Sequence, residues 1–358
     1  MPRSPLTQIP FHLISIAQYE QQAAQHLDPA VWAYLQGGAM DEVTQRANLD
    51  RWQEIQIVPR RLQQLTGGHT TLTCLGQSFA HPLWLAPIAY QQLFHPDAEL
   101  ATAQAAHVTQ TPMLVSSFAT RRFADIAAHT SAPLWLQLYW QGDRQASLAV
   151  VRQAEAAGYQ AVVLTVDAPH SGIRDRERLA RFVRPAHIQA VNLSDPPIYD
   201  AQANIFDGLF ALAPTWEDVV WLKTQTDLPV LLKGILHPAD AAQAVQLGVD
   251  GLVVSNHGGR VLDTCVSVVD ALPAIRQVCP PDYPILIDSG IRRGIDVLKA
   301  IALGASAVLI GRPYIYGLSV AGALGVAHTL KLLREELEVS MGLSGCATLA
   351  DVRNLRLV

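Results

Sequence analysis

Eight short apolar runs, none with regular apolar/polar alternation, recur along the chain and constrain its fold more than any other feature. They read PLWLAP (Pro82 to Pro87), PMLVSS (Pro112 to Ser117), LWLQLY (Leu134 to Tyr139), AVVLTVD (Ala161 to Asp167), PVLLKGI (Pro229 to Ile235), GLVVSNH (Gly251 to His257), PILIDSG (Pro284 to Gly290) and AVLIGRP (Ala307 to Pro313). A strand covered on both faces reads as a continuous apolar run, so the runs predict a parallel sheet. Between most of them lie Ala- and Leu-rich segments with helical spacing: Ala98 to Val108, Arg144 to Ala157, Pro238 to Leu247, Ser267 to Val278 and Gly294 to Leu303. Strand alternating with helix implies βαβ units, and eight such units close a (β/α)8 TIM barrel. An open doubly wound sheet is the alternative, but it does not require eight strands. Gly158, Gly248 and Gly304 fit left-handed caps that end a helix before the next strand.

Two stretches fall outside the repeat. Residues 1–81 read as a helical lead-in, with Asp28-Pro29 opening a helix that reaches Leu35 and ends at Gly37-Gly38. The connection from Ala168 to Leu228 is much longer than its neighbours, and its polar portion, Arg184 to Thr215, reads as a lid over the strand ends. A length of 358 residues would suggest two or three domains at about 150 residues each. The eight runs form one set instead, so a single domain over 1–358 is expected: the lead-in, barrel strands over 82–313 with the lid at 184–215, and C-terminal helices over 314–358.

Only 16% of the residues are charged and 50% are hydrophobic, which predicts a large buried core or an oligomer interface rather than disorder. A net charge of −5 gives no footprint for nucleic acid. Cys74, Cys265, Cys279 and Cys346 lie far apart without a CxxC pair, so neither a zinc site nor a redox dithiol is indicated, and reduced thiols in a cytoplasmic protein are expected. No uninterrupted apolar stretch reaches about 18 residues, so no membrane span is expected.

The strand ends carry the chemistry. The fourth run ends in Asp167, the fifth carries Lys233, the sixth continues as Ser255-Asn256-His257-Gly258-Gly259-Arg260, the seventh ends Asp288-Ser289-Gly290 with Arg292 beyond, and the eighth ends Gly311-Arg312. In a barrel all these ends face one rim, where active sites form. Gly290, Arg292, Gly311 and Arg312, after the last two strands, suit a phosphate. An imidazole, with an ordinary pKa of about 6.5, accepts a proton near neutrality, and Asp167 is placed to orient His257. Arg260 supplies a planar fork for a carboxylate. Lys233, within an apolar run, needs an acceptor or anion if buried, and a Schiff-base lysine is the rival reading.

These residues resemble the FMN-dependent L-2-hydroxy-acid oxidase and dehydrogenase family, which includes glycolate oxidase, lactate oxidase, mandelate dehydrogenase and hydroxymandelate oxidase. Ser-Asn-His-Gly-Gly-Arg (Ser255 to Arg260) is the most specific motif. Leu-Lys-Gly (Leu232 to Gly234), Asp288 to Gly294 and Ile-Gly-Arg-Pro (Ile310 to Pro313) support it in order, and the likeness runs from about Tyr19 to Val352. The resemblance implies FMN as cofactor, His257 as base, Asp167 as its orienting carboxylate, and Arg174 and Arg260 as carboxylate clamps with Tyr34 and Tyr139 beside them. It places Lys233 at the flavin's N1/C2 carbonyl edge, displacing the Schiff-base idea. It carries flavin contacts to Ala89, Ser116, Gln137, Thr165, Ser255 and Asp288, and the flavin phosphate to Gly290, Arg292, Gly311 and Arg312.

The implied reaction is oxidation of a lactate-like or mandelate-like L-2-hydroxy acid to the 2-keto acid, with O2 reoxidising the flavin and hydrogen peroxide released. A dehydrogenase passing electrons to a quinone or other acceptor is the alternative. A non-redox flavin isomerase and a non-catalytic FMN-binding barrel are the more distant ones. A homo-oligomer, a tetramer or larger, is expected. Three positions depart from common family patterns: Phe118 stands where relatives often have Trp, Tyr90 where many have Met or Ala, and Ser289 where a glycine is common.

Overall fold

The computed structural model describes residues 2–194 and 203–358. The eight runs form eight parallel strands: β1 (Leu83–Leu85), β2 (Met113–Ser116), β3 (Leu134–Tyr139), β4 (Val162–Thr165), β5 (Val230–Ile235), β6 (Gly251–Val254), β7 (Ile285–Ile287) and β8 (Ala307–Ile310). They pair in chain order, and β8 returns to β1 with Val308 opposite Leu83 and Ile310 opposite Leu85, which closes the barrel. Every residue of β1, β2, β4, β6, β7 and β8 is buried. That is the physical content of the unbroken apolar runs: each strand faces side chains inside the barrel and helices outside it.

The helices match the spacing closely. Ala98–Thr109, Arg144–Ala156, Pro238–Gln246, Val268–Val278 and Gly294–Ala302 occupy the expected segments. Gly158, Gly248 and Gly304 all have positive φ, at 83°, 73° and 110°, as the cap reading requires. The lead-in helix Pro29–Gln36 starts on Asp28, whose carboxylate accepts from the Ala30 N–H at 2.8 Å.

The lead-in is not purely helical. It contains a hairpin, Leu72–Cys74 with Gln77–Phe79, and a short strand, Ile57–Val58, paired antiparallel with Arg356–Leu357 near the C-terminus. Phe79 of the hairpin packs on Trp84 of β1 at 4.7 Å between ring centroids, and Trp84 meets Trp135 of β3 edge-on at 4.8 Å. These three rings fill the barrel near the hairpin.

The helix Arg312–Ser344 is long and apolar enough over eighteen residues to cross a membrane by composition, yet 67% of that stretch is buried within the fold. It breaks at Ala321-Gly322, where the Val320 carbonyl accepts from the Leu6 N–H at 2.7 Å. Of the expected lid at 184–215, residues 195–202 lie outside the described residues. Its first part is pinned to the barrel rim: Asn192 accepts from the Phe123 N–H at 3.0 Å and donates to the Arg121 carbonyl at 2.9 Å.

Candidate active site

A helix of eight residues leaves its last carbonyls without partners, and the lead-in helix Pro29–Gln36 ends against the barrel rim. Two rim arginines take those carbonyls. Arg260 Nη1 donates to the carbonyls of Tyr34 and Gly37 at 2.9 and 2.6 Å, and Arg312 Nε donates to that of Leu35 at 2.9 Å. Cations at a helix C-terminus are favoured by its dipole as well. Lead-in and barrel, far apart in sequence, thereby meet at one point. Asn48 and Asn256 exchange two amide hydrogen bonds, both 2.8 Å, and tie the next lead-in helix, Val43–Glu54, to the β6 loop.

The capping places Tyr34 beside two guanidinium groups. Its ring centroid is 5.7 Å from Arg174 Cζ and 5.3 Å from Arg260 Cζ. Arg174 Nε is 3.0 Å from Glu177 Oε2. Burial and the neighbouring Arg174 charge both hold Arg260 below the ordinary guanidinium range, so the pair favours an anion between its members.

His257 sits at the β6 end with φ of 58°, and Gly258 and Gly259 follow at 67° and 72°. A left-handed non-glycine residue costs about 1–2 kcal/mol, and here it turns the imidazole toward Asp167. His257 Nδ1 is 2.9 Å from Asp167 Oδ1, and Tyr139 Oη is 3.2 Å from Nε2. A carboxylate only accepts, so Nδ1 carries the proton and Nε2 holds the lone pair in the neutral ring. Burial pushes Asp167 up, but the charges of His257 and Lys233 outweigh it and hold the carboxyl below its usual range. Burial together with the Asp167 charge raises the Tyr139 phenol, which stays protonated and donates to Nε2.

Lys233 is buried on β5, which bulges at Gly234. Only glycine fits at 234: φ is 106°, and an added Cβ would lie 2.4 Å from Asp167 Cβ. The ammonium lies 3.2 Å from Asp288 Oδ2 and donates to Ser255 Oγ at 2.8 Å. Burial works against the charge, but Asp288 and Asp167 overcome it and raise the lysine above its ordinary range, so Lys233 is a fixed cation. Ser289, with φ of 73°, donates to Asp288 Oδ1 at 2.7 Å and accepts from the Gly258 N–H at 3.0 Å, linking the β7 end to the histidine loop.

These groups surround a cavity of about 1080 Å³ at the C-terminal ends of the strands. Of the residues singled out from sequence, Tyr34, Ala89, Gln137, Tyr139, Thr165, Arg174, Lys233, His257, Arg260, Asp288, Gly290, Arg292, Gly311 and Arg312 line it. Asp167, Ser116 and Ser255 do not. Asp167 stands behind His257; the Ser116 hydroxyl accepts from the Phe118 N–H at 3.1 Å, and Ser255 accepts from both Lys233 and the His257 N–H.

Sequence reasoning missed part of the wall. Tyr90 and Phe118 stack at 5.6 Å, Phe118 stacks on Tyr139 at 4.8 Å, and Arg184 lies over Tyr90. The unusual aromatic residues at 90 and 118 were the available signal for the first two; for Arg184 the signal was only its place at the start of the expected lid.

The donor set fits FMN. At one pole, Gly290, Arg292, Gly311 and Arg312 meet the N-terminus of the helix Arg312–Ser344, and burial plus the charges of Arg260 and Arg292 depress Arg312 to about 9, a field that calls for an anion. At the other, Lys233 and the Gln137 amide, bonded to Thr165 Oγ1 at 2.9 Å, offer polar edges to a ring.

Known proteins agree. An L-lactate oxidase of Alicycliphilus denitrificans is 44% identical over 355 residues, spanning 98% of this chain and 97% of its own. A 4-hydroxymandelate oxidase of Amycolatopsis orientalis is 40% identical over 351 residues, spanning 96% and 97%. A solved structure of mandelate oxidase with (S)-2-phenylpropionate superposes with a TM-score of 0.89 at 40% identity, covering 96% of this chain and 98% of that one. The profile of the FMN-dependent dehydrogenases matches residues 23–358. This chain belongs to the FMN-dependent dehydrogenase family, and FMN is its cofactor.

Proposed function

We propose that the protein oxidises L-2-hydroxy acids to 2-keto acids, with O2 as the electron acceptor and hydrogen peroxide as the second product. The relay Tyr139–His257–Asp167, opening onto a cavity that also holds Arg174 and Arg260, supports this most directly. Relatives named as L-lactate and 4-hydroxymandelate oxidases favour O2 over another acceptor.

FMN, when bound, supplies the two-electron acceptor and returns those electrons to O2. Lys233, Gln137 and Thr165 would hold its polar ring edge, and Gly290, Arg292, Gly311 and Arg312 its phosphate. Arg174 and Arg260 clamp the substrate carboxylate beside Tyr34. Positioning of this kind supplies up to about 7–11 kcal/mol of barrier reduction. His257 takes the substrate proton at Nε2, and Asp167 stabilises the imidazolium that results. Tyr139 donates to Nε2 in the resting state and turns to the substrate oxygen when one arrives. A homo-oligomer belongs to the same reading, supported by exposed apolar side chains such as Leu62, Leu179 and Val183; light scattering tests it.

Mixing the yellow holoprotein with L-lactate or L-mandelate without oxygen should bleach the flavin absorbance. Admitting O2 should restore it with one peroxide per turnover. A protein that takes up FMN but is bleached by no 2-hydroxy acid refutes the proposal.

A further inference from the structure

Among the described residues, seven charged side chains line the cavity: Asp288 and the cations Arg174, Arg184, Lys233, Arg260, Arg292 and Arg312. All but one cation are accounted for. Lys233 pairs with Asp288, Arg292 and Arg312 face the phosphate pole, and Arg174 and Arg260 flank Tyr34 where a carboxylate is clamped. Arg184 remains. No carboxylate lies within salt-bridge distance of it among the described residues.

Arg184 sits at the solvent-facing rim, held by two contacts. Its guanidinium lies 4.8 Å from the Tyr90 ring centroid, and Nη1 donates to the Ile188 carbonyl. The segment that carries it is anchored through buried Ile188, the Val191 N–H on the Ala119 carbonyl at 3.2 Å, and Asn192. From the catalytic end, Tyr139 stacks on Phe118 with 28° between ring planes and Phe118 on Tyr90 with 11°, so a wall of rings leads from His257 to Arg184. A substrate with its α-carboxylate in the clamp and its stem along this wall would bring its far end toward a guanidinium.

Resting on the function proposed above, we infer that Arg184 binds a second carboxylate and that the favoured substrates are 2-hydroxy dicarboxylic acids. The rings pack on the stem, and the planar fork meets the distal carboxylate through charge-assisted hydrogen bonds. The reaction is unchanged: two electrons and two protons leave the carbinol centre, and O2 becomes hydrogen peroxide. A neutral end group would leave the arginine without its anion, which is how such a site discriminates.

The test compares kcat/KM for L-2-hydroxyglutarate and for its 5-amide, equal in length but neutral at the far end, in the holoenzyme. The dicarboxylate should be preferred by about tenfold or more, with the ratio falling as salt is added. In Arg184→Gln the ratio should drop to near one, and Arg184→Lys should recover part of it. Because both substrates are read on the same preparation, loss of folded enzyme does not move the ratio. A wild-type ratio near one, or a ratio unaltered in Arg184→Gln, overturns the assignment. If L-lactate bleaches the flavin while the ratio is one, only Arg184 has been misread; if no 2-hydroxy acid bleaches it, the function has been.

Discussion

Replacing Asp167 with Asn separates the charge of the carboxylate from its geometry. Asp167 Oδ1 accepts from His257 Nδ1 at 2.9 Å, whereas Oδ2 is buried with no hydrogen-bond partner among the described residues. An Asn side chain can keep its oxygen on Nδ1–H and put its NH2 in the place of Oδ2, so the ring orientation survives. What disappears is the attraction between carboxylate and imidazolium. With charge centres about 4 Å apart and an effective dielectric of about 20, that attraction is about 4 kcal/mol. The proposed reaction creates the imidazolium as the proton moves, so the loss falls on the transition state and amounts to about a thousandfold in rate. Stopped-flow reduction by L-lactate without oxygen measures it directly, as the first-order rate of flavin bleaching at saturating substrate. Flavin absorbance of the variant before mixing reports whether the cofactor site is intact. A flavin-loaded Asp167→Asn enzyme that bleaches within tenfold of wild type refutes the reasoning, because the carboxylate charge would then be dispensable.

The same carboxylate leaves a mark on stability against pH. Its folded pKa lies below the unfolded one, so its contribution is present above about pH 4 and lost as pH falls through the folded value; the urea-midpoint gap between wild type and Asp167→Asn should shrink as pH falls below about 4. Gly234→Ala should force Asp167 away from His257, since the new Cβ would stand 2.5 Å from Asp167 Cγ at a φ of 106°, and turnover should fall at least tenfold together with the melting temperature. Wild-type turnover in that variant would show that the bulge has slack. Lys233→Met leaves Asp288 buried and unpaired and should cost about 3–5 kcal/mol in denaturant unfolding, with Lys233→Met/Asp288→Asn recovering part of it. A double variant no more stable than the single would show that the two do not act as a pair.

The barrel was legible in the sequence because burial on both faces of a strand leaves a local trace. Val162 to Leu164 and Ala307 to Ile310 are apolar at every position, and no alternating strand or surface helix makes that pattern. Helix limits were legible for similar reasons: Asp28-Pro29 starts a helix through the Asp28 carboxylate on the Ala30 N–H and the fixed φ of proline, and Gly158 ends one through its own φ. His257, Asp167 and Lys233 could be singled out because a barrel sends every strand end to one rim. The pairing of Ile57–Val58 with Arg356–Leu357 left no such trace, since two-residue strands far apart carry neither period nor turn signal.

Which residues touch one another inside the site was settled by contacts between distant segments. Tyr34 enters because Arg260 and Arg312 cap the helix that carries it, Asp167 is seated by the bulge at Gly234, and Arg184 reaches the wall through Tyr90. Local spacing encodes the direction of a chain and the character of its faces. It does not encode which guanidinium finds a carbonyl, a carboxylate or a ring, because that depends on where the closed barrel brings each one.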